Sequence, residues 1–134
     1  MEYLIFLVIA LVAAIVSGAI GILWYSKKMF GKAWLAEAGQ KIPEASMKKH
    51  MMRSMLKGLL IDFITNAVFL LLLISFRHAN PFVLAGFLWL GFIAPNIASA
   101  SVYEGRSWKI FWITSIYRFI GLLPMSIIFF LLAR

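Results

Sequence analysis

The 134-residue sequence contains no cysteine. Disulfides, thiolate metal sites and cysteine nucleophiles are therefore excluded. Charge is scarce too, at 13% of residues, where soluble domains carry about 25%. The two histidines, His50 and His78, lie in separate predicted loops with no second ligand at metal spacing, so no metal site is expected. A Gly-rich phosphate loop, a nucleophile elbow and an HExxH pattern are all missing, and a single aspartate in a helix is no acid–base pair. The sequence thus predicts neither an enzyme nor a bound cofactor.

What it has in abundance is apolar surface. Hydrophobic residues make up 63% of the chain, against about 45–50% in soluble domains. A water-soluble fold could not hide that much, and lipid is the economical solvent. The net charge of +8 would suggest nucleic acid if spread over a globular surface. Most of it falls in one loop between apolar runs, so a membrane surface is the expected partner and nucleic acid is not.

The apolar runs predict an all-α integral membrane bundle of four helices forming a single domain over residues 1–134. The spans are expected at about 3–25, 58–76, 82–103 and 108–132, each long enough to cross a hydrocarbon core of about 30 Å. The first has no positive n-region, since Glu2 follows Met1, and it runs into an aromatic–lysine flank. It is therefore expected to stay in the mature protein. Between the first two spans, Phe30, Trp34, Leu35 and Ala38 recur at helical spacing, with Gly39 as C-cap. Pro43 suits the first turn of a further helix. There Met47, Met51 and Met55 form one stripe and Lys49, Arg53 and Lys57 another, the pattern of an amphipathic helix lying on or leading into the membrane surface. Residues 77–81 and 104–107 are tight turns. Pro95 and Pro124 mark bends inside spans three and four.

Orientation follows from the cations. Lys27, Lys28, Lys32, Lys41, Lys48, Lys49, Arg53 and Lys57 in the first loop, with Arg106 and Lys109 around the third, place ten positive charges on one side. Arg77 and Arg134 make two on the other. The positive-inside rule predicts a multi-pass protein of a prokaryotic cytoplasmic membrane with both basic loops inside and both termini outside.

Polar groups within the spans are costly and seek partners. Counted from the predicted helix ends, Asp62 lies roughly 7 Å and Arg118 roughly 15 Å from the inner side. A snorkelling arginine could cover that difference, so a pair is feasible. Asn66 lies one turn beyond Asp62 on the same face. Asn96 approaches from span three, and Thr114, Ser115 and Tyr117 line the approach to Arg118. Asp62, Asn66, Asn96 and Arg118 thus predict a polar layer with two readings. They either neutralise one another and hold the helices together, or they bind an anionic headgroup, an ion or a proton path. Small residues in span one, at Ala14-x-x-x-Gly18 and Ser17-x-x-x-Gly21 spacing, predict a close helix contact within the bundle or across a homo-oligomer interface.

The stretch "GILWYSKKMFGKAW", with Gly21, Trp24, Tyr25, Ser26, Phe30, Gly31 and Trp34, resembles the signature of the domain of unknown function 1761 family. These are small bacterial and archaeal membrane proteins with a Gly-x-x-Trp-Tyr-Ser-x-x-x-Phe-Gly-x-x-Trp pattern after the first helix. "WLGFIAP" and "YEGRSWKIFWITSIYRF" look like that family's third span and its turn into the fourth. Lys27 stands where the family often has proline. The resemblance implies four spans and brings no activity. The expected function is non-enzymatic binding of a lipid, an amphiphile or a partner helix, with anionic headgroups at the basic loop. The alternative is a small transporter or channel using the polar layer. An apolar first span, without an ionisable group between Tyr3 and Tyr25, favours binding.

Overall fold

A computed structural model describes residues 2–39 and 44–133, without the side chains of Glu44, Ala45, Met47, Lys48, His50 and Met51. Helix α1 spans Glu2–Trp24, α2 Gly31–Ala38, α3 Glu44–Ser75 and α4 Pro81–Leu88. A π-helical segment, Trp89–Ile93, leads into α5 at Ala94–Tyr103, followed by α6 at Trp108–Ile120 and α7 at Leu123–Leu132. Four stretches are long and apolar enough to cross a membrane: Glu2–Trp24, Met52–Ser75, Pro81–Tyr103 and Trp108–Leu132. The protein is an all-α, four-span membrane bundle.

The predicted spans agree with these to within one residue at every end but the start of span two. There α3 runs unbroken from Glu44. The expected surface helix is therefore the leading end of span two. Gly58 does not interrupt it, because one helix glycine costs only about 1 kcal/mol relative to alanine. The expected Pro43 start, Lys41, Arg134 and the Met47–Met51 part of the methionine stripe lie outside the described residues and side chains.

The helix ends obey local chemistry. Gly39 caps α2 at φ 64°, its N–H reaching the Leu35 carbonyl, a left-handed conformation glycine adopts without a Cβ penalty. The Asn80 side chain accepts from the Phe82 and Val83 amides ahead of α4, with Pro81 in the first turn, and Ser107 accepts from Lys109 N at the start of α6. Both are ordinary N-caps. The two internal prolines act differently. Ahead of Pro95 the chain widens into the π segment, where the Ala94 N–H reaches back five residues to Trp89 O. Near Pro124, α6 stops and the backbone turns at Gly121–Leu122 before α7. Each adjustment accommodates a residue with no N–H and a ring that crowds the preceding turn.

Span one packs on span two and span four, and span four packs on span three. The contact face of α1 is built of Ala10, Ala13, Ala14, Ser17 and Gly21, all buried and repeating every three or four residues on one side of the helix. Lipid tails are as apolar as leucine, so association here rests on close backbone approach and interhelical hydrogen bonds. The apolar core joins Ala10 and Ala13 to Phe69, Leu70, Leu73, Ala85, Leu122 and Met125. The glycines of α1 divide sharply. A Cβ on Gly21 would lie 2.5 Å from the Tyr117 hydroxyl, whereas a Cβ on Gly18 would meet nothing within 4 Å. Of the two expected spacings, Ser17 and Gly21 both meet span four, while Ala14 is buried and Gly18 faces open space.

Gly21→Ala should therefore lower stability by about 1–3 kcal/mol through overpacking, while Gly18→Ala should stay within about 0.5 kcal/mol of the parent. Unfolding of both variants in detergent micelles checks this, and equal losses would contradict the packing.

Candidate functional site

Spans two and three are joined by the 76–80 turn, yet among the described residues they scarcely touch along their lengths. Towards the basic end a wedge opens between them, floored by span four. It is a cavity of about 350 Å³ lined by Ile61, Asp62, Thr65 and Asn66 of α3, by Phe92, Ile93, Asn96 and Ile97 of the π segment and α5, and by Tyr117, Arg118, Gly121 and Leu122. The four residues of the predicted polar layer all line this one space. Ser115 and Thr114 do not. Ser115 is buried and accepts from the Trp89 indole N–H.

The helices bring Asp62 and Arg118 to one level, although their depths counted from the predicted helix ends differ. Their side chains pair with Arg118 Nη1 3.7 Å from Asp62 Oδ1. That is an ion pair beyond hydrogen-bond reach. Arg118 also sits in the last turn of α6, where a cation meets the negative end of the helix dipole, and its guanidinium carbon lies 5.7 Å from the Tyr117 ring centre.

Asn66 is the unsatisfied member. It is 1% exposed. Its Nδ2 donates to the backbone carbonyl of Asp62 at 2.8 Å, and its Oδ1 has no partner among the described residues. Thr65 turns its hydroxyl to Ile61 O of its own helix. Asn96 is exposed at the cavity wall, and the Ser99 hydroxyl donates to its carbonyl at 2.7 Å.

The signature residues build the wall behind the cavity. The Trp24 indole N–H donates to Ile113 O at 3.0 Å, and its ring meets Phe30 at 4.4 Å. Tyr25 sits edge-on between Trp34 at 5.9 Å and Tyr117 at 5.2 Å. The loop after α1 folds back so that Phe30 N reaches Trp24 O and Gly31 N reaches Ser26 O. A Cβ on Gly31 would collide with the Tyr25 and Ser26 carbonyls, so that fold-back needs glycine. Ser26 Oγ is buried without a partner among the described residues. An ion pair between Lys109 and Glu37 at 3.9 Å adds to the seat of α2 on α6.

Tyr117 was legible in the sequence only as a neighbour of Arg118, but the structure makes it the joint between signature and cavity. It lines the cavity, packs on Gly21 and Tyr25, and donates to Ser17 O at 3.4 Å. The apolar cavity wall, Phe92, Ile93 and Ile97, carried no signal beyond its proximity to Pro95. Among the described residues no cluster of three or more metal-ligating side chains occurs.

A family model described as "Protein of unknown function (DUF1761)" matches residues 8–130. No curated protein and no solved structure matches the chain.

The ion pair makes an asymmetric prediction. The Asp62 side chain is 13% exposed and that of Arg118 41%, so a stranded arginine can extend towards water and a stranded aspartate cannot. Arg118→Gln should cost about 2 kcal/mol, below the roughly 3–5 of a fully buried pair, and Asp62→Asn should cost less. The double variant should recover part of the sum. Unfolding in detergent measures all three, and additive losses would show that the contact contributes nothing.

Proposed function

We propose that this chain, which belongs to the DUF1761 family of unknown function, is a non-enzymatic membrane protein that binds a phosphate-bearing amphiphile between spans two and three. One observation carries the reading. Arg118 lines the cavity between spans two and three, its guanidinium 3.7 Å from Asp62 Oδ1 and so not held by a hydrogen bond to it. Guanidinium is well matched to phosphate oxygens through paired N–H donors.

The charge pattern supports an orientation with the basic end in the cytoplasm of a prokaryotic cell and both termini outside. Lys27, Lys28 and Lys32 are exposed, and such cations attract anionic headgroups by about 1 kcal/mol each near the surface. A homo-oligomer draws no support from the small face of α1, which is used up inside the bundle.

A second reading, a small transporter, is favoured by a different feature. The π segment of span three and the Gly121–Leu122 break of span four both border the cavity, and interrupted helices around a polar site are the usual build of transporters.

Native mass spectrometry of the protein released from mild detergent tests binding. Arg118→Gln should lower bound phospholipid about tenfold, as expected for losing a charge-assisted hydrogen bond. Unchanged adducts would remove the binding reading, and solute flux in protein-containing liposomes would establish the transport one. For orientation, Lys32→Cys should react with an impermeant thiol reagent only in opened cells and Asn80→Cys in intact ones; the reverse pattern would invert the bundle.

A further inference from the structure

The two ends of the wedge between spans two and three are built differently. Beyond Asn66 the same face of α3 carries Phe69 and Leu73, both buried with Ala85, Leu122 and Met125 in the apolar core. That packing seals the wedge on the side away from the basic loops. Towards the basic end its walls carry small residues instead. Gly58 precedes Asp62 by one helical turn and lies on the same face of α3. A Cβ added to it would meet nothing within 4 Å. On the other wall Ala100 follows Asn96 by one turn, on the face of α5 that borders the cavity. Glycine weakens a helix interior, and no neighbour requires it at residue 58. What it does there is leave space open.

The charged groups lean the same way. In a helix each Cα–Cβ bond tilts towards the N-terminus, and α3 and α6 both begin at the basic end. The Asp62 carboxylate therefore leans towards the turn that contains Gly58. Arg118, with 41% of its side chain exposed, extends towards the same opening. A large side chain at residue 58 would stand between these groups and the basic end. We infer that Gly58 and Ala100 form the doorway of the cavity, through which the headgroup of a phospholipid from the leaflet at the basic end reaches Arg118. This rests on the binding reading above and adds the side from which the ligand is loaded. A lipid is favoured over a free phosphate compound because the wedge is also open sideways. Ile61 and Phe92, at its rim, are 50% and 66% exposed, on two spans that scarcely touch among the described residues. The headgroup follows the gap between Gly58 and Ala100, while the acyl chains stay in the bilayer beside Ile61 and Phe92, where their apolar surface never meets water.

The experiment uses the full chain, delipidated in mild detergent and titrated with dioleoyl phosphatidylglycerol, with adducts read by native mass spectrometry. Gly58→Leu places its side chain in open space, so the fold should be kept. It should lower the adduct about tenfold by crowding the headgroup. Gly86→Leu, at a span-three glycine with equally open surroundings, should bind as the parent does. The chain has no cysteine, so Gly58→Cys gives a second readout without a bulky substitution. It should react with a water-soluble thiol reagent in the same detergent, and phosphatidylglycerol should suppress that reaction. Unchanged binding to Gly58→Leu, an equal loss in Gly86→Leu, or an unreactive or unprotected Gly58→Cys would overturn the doorway. The binding reading would stand in each case, provided Arg118→Gln still lowers the adduct. Equal adducts in the parent and Arg118→Gln would remove both. Soluble glycerol phosphate competing as well as the lipid at equal concentration would overturn the choice of a lipid.

Discussion

Span four cannot be a continuous helix, and much of the bundle follows from how that is accommodated. Pro124 has no N–H to give the preceding turn, so carbonyls around Gly121 are left without the intrahelical donors they would otherwise have. In a bilayer no water can replace those donors. Ser17 does so instead, its hydroxyl donating to Gly121 O at 2.8 Å. A serine hydroxyl is short, so this bond holds α1 hard against span four at that level. Gly21, one turn further along α1, then has to be glycine because Tyr117 fills the space its side chain would need. The small face of α1 and the break in span four are one joint seen from its two sides.

That joint also shapes the cavity. With α6 ending at Ile120, Arg118 occupies a helix C-terminus beside the irregular turn, and Tyr117 is pinned between Ser17, Gly21 and Tyr25. Span two is drawn onto span one over its length, and span three onto span four. Two pairs built this way leave spans two and three with little contact among the described residues at the basic end. The widened π turn of span three borders the same gap. Polar side chains collect there, where irregular backbone and opposite charges can share partners.

The signature motif has a structural meaning that its sequence spacing conceals. Trp24, Tyr25, Phe30 and Trp34 are not a belt spread along the interface. They close into a cluster because the chain reverses tightly after Ser26, and Gly31 permits the reversal. Through the Tyr25–Tyr117 contact the cluster backs onto the cavity wall. The motif and the polar layer are separate in sequence and adjoin in space.

The class and the spans were legible from the residues alone, because a bilayer imposes length and apolarity on each crossing helix independently of its neighbours. The Gly39 cap and the turns at 77–81 and 104–107 were legible because each rests on local chemistry, whereas the capping roles of Asn80 and Ser107 emerged only in the structure. Asp62, Asn66, Asn96 and Arg118 stood out because a polar group inside a span needs a partner. Which partner it finds depends on how helices rotate and cross, and that is decided by packing between residues far apart in the chain. Only the tertiary structure could pair Asp62 with Arg118, leave Asn66 Oδ1 without a donor among the described residues, or place Tyr117 against Gly21. The unbroken start of α3 belongs with these. No residue there forces the helix to stop, and a cation-rich helix end reads the same whether it lies on the membrane or continues into it.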